Sequence, residues 1–245
     1  MEVEIFTDEN GVKYTKESLL KGIRNHTEMV NTFTGDFLSD GNFDVGNGVA
    51  VLSDIKVFGS TSVGVKSRAG KKISWIVIHY TAGGTSRQGA ARSCCNTWVS
   101  RCTKTPSNPG SADLVVDDVE TWQFSANIDE YYTHHSGGNY KSVYPPKCKG
   151  KCYNSNSIGI ELCSSFRKGY GSFKNPNHGG WYFTDAVLRR GIELTRALMK
   201  KYNIDKSHIC RHYDCSGKLC PGVPGWNPEP GSNDESQWHR FLNSL

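Results

Sequence analysis

The sequence predicts an α/β domain built on a central mixed β-sheet flanked by helices, preceded by a small N-terminal extension. Three observations carry this. "KKISWIVIHYTAGG" (71–84) is a near-continuous β-branched run, the pattern of a strand buried on both faces. "ADLVVD" (112–117) and "SIGIEL" (157–162) are two further short apolar runs of strand length. "TDAVLRRGIELTRALMKKYNI" (184–204) has the period of an amphipathic helix. Strands alternating with helices and long loops imply helices packed on a sheet.

Taken in order, residues 1–70 read as the extension and 71–245 as the main domain. The extension holds one helical candidate, Thr15 to Phe33, with a thin apolar face of Leu19, Leu20, Ile23 and Val30. A Gly/Ser/Asp-rich stretch follows, with two β-like pieces, "VAVL" (49–52) and "IKVFG" (55–59), that form a hairpin or pack on the main domain. Small units of this size are marginal alone, so a chain starting near Lys71 is expected to fold without it. The first core strand ends at His79 and breaks at Gly83-Gly84. Thr184 is the expected N-cap of the long helix, whose core stripe reads Leu188, Ile192, Thr195, Met199 and Tyr202. "ICRH" is a short strand that delivers His212 to its end. "SNDE" (232–235) is a capping box for a last helix through Trp238, Phe241 and Leu242.

Composition narrows the function classes. No apolar run approaches the roughly 18 residues that span a bilayer, which argues against membrane insertion. The formal charge of +5 is dispersed in short clusters, and no nucleic-acid-binding motif accompanies it. The acidic start "MEVEIFTDENGVKY" lacks the features of a signal peptide. The nine cysteines are an odd number, so at least one stands outside any intramolecular disulfide. If Cys220 holds a metal, eight remain for up to four bridges; buried free thiols are the competing reading.

Chemistry concentrates at strand ends, where sites are built in α/β sheets. His79 ends one strand, His212 another, and Cys220 follows in "RHYDCSGKLCPG". The spacing of His212 and Cys220 is wrong for a zinc finger. Two imidazoles, one thiolate and an open fourth position are instead the makeup of a catalytic zinc site, with a net charge near +1. Glu161 lies in the buried "IGIEL" run, where a charge needs a reason because desolvation is costly.

Together "IVIHYTAGG", "SIGIEL" and "RHYDCSGKLCPG" resemble the zinc-dependent N-acetylmuramoyl-L-alanine amidases, a superfamily that includes phage amidases and peptidoglycan recognition proteins. The resemblance runs from about Ile73 to Leu242 and implies a peptidoglycan-recognition-like fold with one zinc per chain on His79, His212 and Cys220. It also implies Glu161 as general base, Lys218 as a catalytic lysine, and a substrate groove lined by Tyr80, Asp113 and His135, the last in "YYTHHSGG". Ala112 stands where some members carry a tyrosine, which shifts the catalytic burden to Glu161 and makes Asp113 the first substitute for it. A disulfide from Cys94 or Cys95 to Cys102 is implied in the same way. For "KCKGKC" (148–152) a tight Cys148–Cys152 bridge and a second zinc site both stay open. The implied substrate is peptidoglycan, with a virion or wall-polymer partner met through residues 1–70. The implied setting is a phage lysin or virion component acting on the bacterial wall, against a cytosolic wall-recycling enzyme. The functional alternative is a non-catalytic peptidoglycan-binding module.

Overall fold

The computed structural model of the chain describes residues 5–7, 13–15, 52–107, 109–170, 179–228 and 235–245. The chain divides into two compact units, Met1–Phe43 and Asp44–Leu245. In the first, β1 (Ile5–Thr7) pairs antiparallel with β2 (Lys13–Thr15). The expected helix at 15–33 lies outside the described residues apart from Thr15, which ends β2, and "VAVL" lies outside them apart from Leu52.

The second unit is built on a six-stranded sheet. Its strands are β3 (Lys56–Ser60), β5 (Trp75–Tyr80), β6 (Leu114–Val116), β7 (Thr121–Ser125), β9 (Ser157–Leu162) and β12 (Ile209–Arg211). They lie in the order β12-β5-β9-β6-β7-β3. All neighbours are parallel except the β6–β7 pair, so the sheet is mixed. Every residue of β5 after Trp75 is buried, which explains its unbroken apolar text. Two small antiparallel pairs flank the sheet: β4 (Val65–Ser67) with β8 (Tyr131–Thr133), and β10 (Ser165–Phe166) with β11 (Trp181–Tyr182).

Helices cover the sheet. The first, α1 (Ala90–Lys104), stacks Trp98 edge-on against Phe124 of β7. The long helix α2 (Asp185–Tyr202) begins where expected, with Thr184 Oγ1 accepting from the Val187 N–H. Its buried face keeps Ile192 and Thr195 of the predicted stripe but is widened to Val187, Gly191, Leu194, Ala197 and Leu198, while Leu188, Met199 and Tyr202 are half-buried. At Gly191 a Cβ would come within 2.7 Å of Leu162 in β9. The helix therefore also docks through a residue that hydrophobicity does not mark. A short α3 (His212–Ser216) follows β12, and α4 (Ser236–Asn243) buries Trp238 and Phe241. Of the expected "SNDE" cap only Glu235 is described, and its side chain makes no capping bond.

The boundary expected at residue 70 is corrected by two strands and one arginine. The "IKVFG" piece is β3, which pairs with β7 and closes one edge of the sheet, and β4 pairs with β8. Arg68 is 1% exposed. Its guanidinium donates to the carbonyls of Ile128 (2.8 Å), Ser155 (2.9 Å) and Ser157 (2.9 Å) and stands 3.5 Å from the buried Asp113 carboxylate. A chain starting at Lys71 leaves that carboxylate uncompensated and the β7 edge bare. It is therefore expected to lose cooperative thermal unfolding, followed by circular dichroism, whereas a chain starting at Asp44 keeps it. Arg68→Met in the full chain is expected to cost about 3–5 kcal/mol in chemical denaturation, the range for breaking one half of a buried ion pair.

Candidate metal centre and active site

Parallel pairing of β5 with β9 sets His79 directly beside Glu161. The next strand over, β12, runs parallel to β5 and ends at Arg211, so His212 opens α3 at the same end of the sheet. That corner is locked by a fork: Arg211 donates through Nε and Nη2 to both Asp214 carboxylate oxygens, each at 2.8 Å. Gly217, at φ +79°, ends α3, and the chain doubles back until the Tyr213 N–H donates to the Cys220 carbonyl at 3.0 Å. A Cβ at Gly217 would strike the Tyr140 carbonyl at 2.7 Å, so the turn also needs the missing side chain. The Tyr80 N–H donates to the Cys220 sulfur. Cys220 is thereby returned to β5.

His79, His212 and Cys220 are all buried, and one ligand atom from each lies within 4.8 Å of the other two. Hydrogen bonding dictates which ring nitrogens face inward. Ser157 Oγ spends its proton on the Tyr153 carbonyl (2.5 Å), so it can only accept from His135 Nε2 at 3.2 Å. Asp113 Oδ2, 3.5 Å from the same nitrogen, is also an acceptor. His135 therefore carries its proton on Nε2, and its Nδ1 accepts from His79 Nε2 at 3.2 Å. This leaves the lone pair of His79 on Nδ1, 3.6 Å from Cys220 Sγ. His212 Nε2 donates to the Gly137 carbonyl at 2.9 Å, and its buried Nδ1 has no partner. Two lone pairs and one thiol thus converge, a donor set that fits zinc, with the far nitrogen of each imidazole held as metal-binding histidines require.

The electrostatics suit the same task. Burial, then repulsion from His212 and His135, holds His79 well below the usual imidazole range. Burial, then the Lys218 charge, lowers His212 to about 4. Both rings are neutral near pH 7 and able to ligate. Burial pushes the Cys220 thiol up to about 12, so this thiol loses its proton only to a cation. Glu161 is pushed up to about 8 by burial, against the pull of Lys218, and its Oε2 is enclosed without a hydrogen-bond partner. Lys218 is half-buried and close enough to act electrostatically on His79, His212 and Glu161.

Three residues expected in the substrate groove lie elsewhere. His135 is 5% exposed and sits behind His79 as its hydrogen-bond acceptor. Asp113 is wholly buried between Arg68 and the Gly159 N–H, which donates to it at 2.8 Å. Tyr80 is buried, its ring edge-on against Trp181 at 5.7 Å. The physical reason is common to all three: each is on or beside a strand whose neighbours close over it. The nine cysteines are free thiols. Cys94 or Cys95 cannot bridge to Cys102, because all three lie on α1 and about two turns of helix (~10 Å) exceed the span of a disulfide. Arg68, Gly137 and the Arg211–Asp214 fork were not singled out from sequence. Gly159 carried a signal, since a glycine inside a buried strand marks a close approach. A Cβ there would lie 2.6 Å from the His135 ring.

Comparisons with known proteins agree with this geometry. The sequence profile described as N-acetylmuramoyl-L-alanine amidase matches residues 69–223. Among curated proteins, the N-acetylmuramoyl-L-alanine amidase CwlL of Bacillus licheniformis is 28% identical over 192 residues, covering 78% of this chain and 45% of its own. The chain thus spans less than half the length of that relative. Among solved structures, a mutant endolysin from Bacillus subtilis shares the fold at a TM-score of 0.51 and 20% identity, over 78% of this chain and 97% of its own. The PlyG catalytic domain does so at 0.51 and 19%, over 77% and 90%. The profile spans well over half of the sequence and encloses both histidines and the cysteine of the cluster, and the chain belongs to the N-acetylmuramoyl-L-alanine amidase family.

Proposed function

We propose that this chain hydrolyses the amide between the lactyl group of N-acetylmuramic acid and L-alanine in peptidoglycan, with a zinc ion held by His79, His212 and Cys220. The observation that carries this reading is the buried convergence of three donor atoms within 4.8 Å, one of them an imidazole nitrogen with no other partner. When bound, zinc supplies Lewis acidity that polarises the scissile carbonyl and activates water near neutral pH. The protein supplies the rest. Glu161, with Oε2 uncommitted, takes a proton from the attacking water and passes it to the leaving amine. Lys218 donates to the carbonyl oxygen as it gains charge. His135 and the Gly137 carbonyl hold the two ligand rings in a single tautomer throughout.

Such an enzyme acts on the bacterial wall, as a phage lysin or a virion-borne hydrolase. Among the described residues no helix is long and apolar enough to cross a membrane. Residues 1–70 precede every residue of the cluster in sequence, and we assign to this segment the engagement of a wall polymer or virion partner.

Glu161→Gln is expected to keep zinc and lower kcat by about 10²–10⁴, the usual contribution of a general base. Lys218→Ala is expected to keep zinc and lower kcat by about 10²–10³, with a smaller effect on KM. The assay is release of new N-terminal alanine from purified sacculi, with zinc measured on the same samples. Zinc-loaded wild type that binds sacculi but frees no alanine would assign the chain to recognition instead.

The pH profile follows from Glu161. A general base works only when deprotonated, so kcat/KM rises with pH on its acid side. Burial raises this carboxyl from 4.5 to about 8 against the pull of Lys218, so the limb is expected well above the usual carboxylate range, with a slope of one proton. In Glu161→Gln the residual rate should lose that limb.

A further inference from the structure

Eight cysteines remain outside the His79–His212–Cys220 cluster, and four of them converge on a second point. Cys148 and Cys152 come from the insertion between β8 and β9, Cys210 from β12 and Cys215 from α3. Sulfurs of Cys152, Cys210 and Cys215 all lie within 4.8 Å of one another, with Cys210 and Cys215 at 3.6 Å. Cys148 completes the group, its thiol within hydrogen-bonding reach of Cys210. All four are buried, and with Val77 they make up a core cluster of their own under Trp75. Four sulfurs among five members is not what apolar packing alone selects, since valine, leucine or alanine would fill the same space.

The backbone is shaped for ligands. The pairs are spaced C-x3-C and C-x4-C, inside the range of structural zinc sites. The first pair forms a tight knuckle: the N–H groups of Lys151 and Cys152 both donate to the Cys148 carbonyl at 3.0 Å, and Gly150 takes φ +78°. The second pair straddles the strand-to-helix corner locked by Arg211 and Asp214, and the Cys148 N–H donates to the Asp214 carbonyl at 2.8 Å. Zn–S bonds of about 2.3 Å put the sulfurs of a tetrahedral site about 3.8 Å apart, near the spacing of Cys210 and Cys215. A zinc tetrathiolate carries two negative charges, and the exposed Lys147, Lys149 and Lys151 alternate with the first pair of ligands.

We propose that Cys148, Cys152, Cys210 and Cys215 bind a second, structural zinc ion, which pins the 137–153 insertion to the corner that presents His212. The expected metal content then rises from one to two per chain. The inference rests on its own four ligands and not on the amidase reading.

The test is zinc content of the full chain purified under reducing conditions without chelator. Two zinc ions per wild-type chain are expected, one in His79→Ala and one in Cys152→Ser, the latter with a lowered Tm. Should the serine variant not fold, the His79→Ala protein decides: its remaining zinc should be released by titration with a mercurial thiol reagent. Cobalt in its place should show the visible absorption of a tetrahedral tetrathiolate. The proposal is overturned by one zinc in wild type that His79→Ala abolishes, by cobalt bands lacking thiolate character in His79→Ala, or by disulfides among the four in non-reducing mass spectrometry. A zinc content that His79→Ala leaves unchanged, but Cys152→Ser reduces, would count against the catalytic centre while supporting this site.

Discussion

The site hangs on one line of buried acceptors behind His79, the Ser157 hydroxyl and the Asp113 carboxylate. Asp113 is fully enclosed, and burial raises it to about 6 even with Arg68 and the Gly159 N–H stabilising its charge. While charged, it accepts, and His135 must turn a proton toward it. His135 then accepts from His79, and the lone pair of His79 faces Cys220. Ser157 Oγ, whose own proton goes to the Tyr153 carbonyl, accepts from the same His135 Nε2 and enforces the same order of protons along that line. Through Asp113, an arginine brought in by the segment before β5 also bears on a nitrogen that it never touches.

The centre is also a case of burial working in opposite senses on different groups. Desolvation keeps both imidazoles neutral, which is what a ligand needs, and keeps the Cys220 thiol and Glu161 protonated, which is not. A cation held by the cluster as proposed would reverse the second pair without disturbing the first, and its uptake would be coupled to loss of a proton from Cys220.

Much of this was legible in the sequence. Unbroken β-branched text marked β5, and histidine at its end together with "RHYDCSGKLC" marked the cluster, because strand ends and ligand types are local properties. Thr184 marked the start of α2 for the same reason. What was not legible depends on which neighbours close over a residue. Arg68 carried no signal in its glycine-rich stretch, and what buries it is a set of carbonyls and a carboxylate from distant segments. His135, Asp113 and Tyr80 carry types that suit a groove, and nothing in their local text reveals that the fold buries them. The stripe of α2 kept Ile192 and Thr195 but reached further than hydrophobicity marks, because the helix also packs against Leu162 of β9 through a glycine.

The order of strands in the sheet has a kinetic consequence. β5 sits between β9 and β12, and β12 lies more than a hundred residues downstream of it. Pairings of such long sequence separation, in parallel register, form slowly because the loop must close before any contact rewards it. On a ribosome, His79 emerges well before Cys220, so the three-residue cluster cannot assemble until nearly the whole second unit has been made. The topology therefore acts as a timer: the cluster closes only at the end of folding.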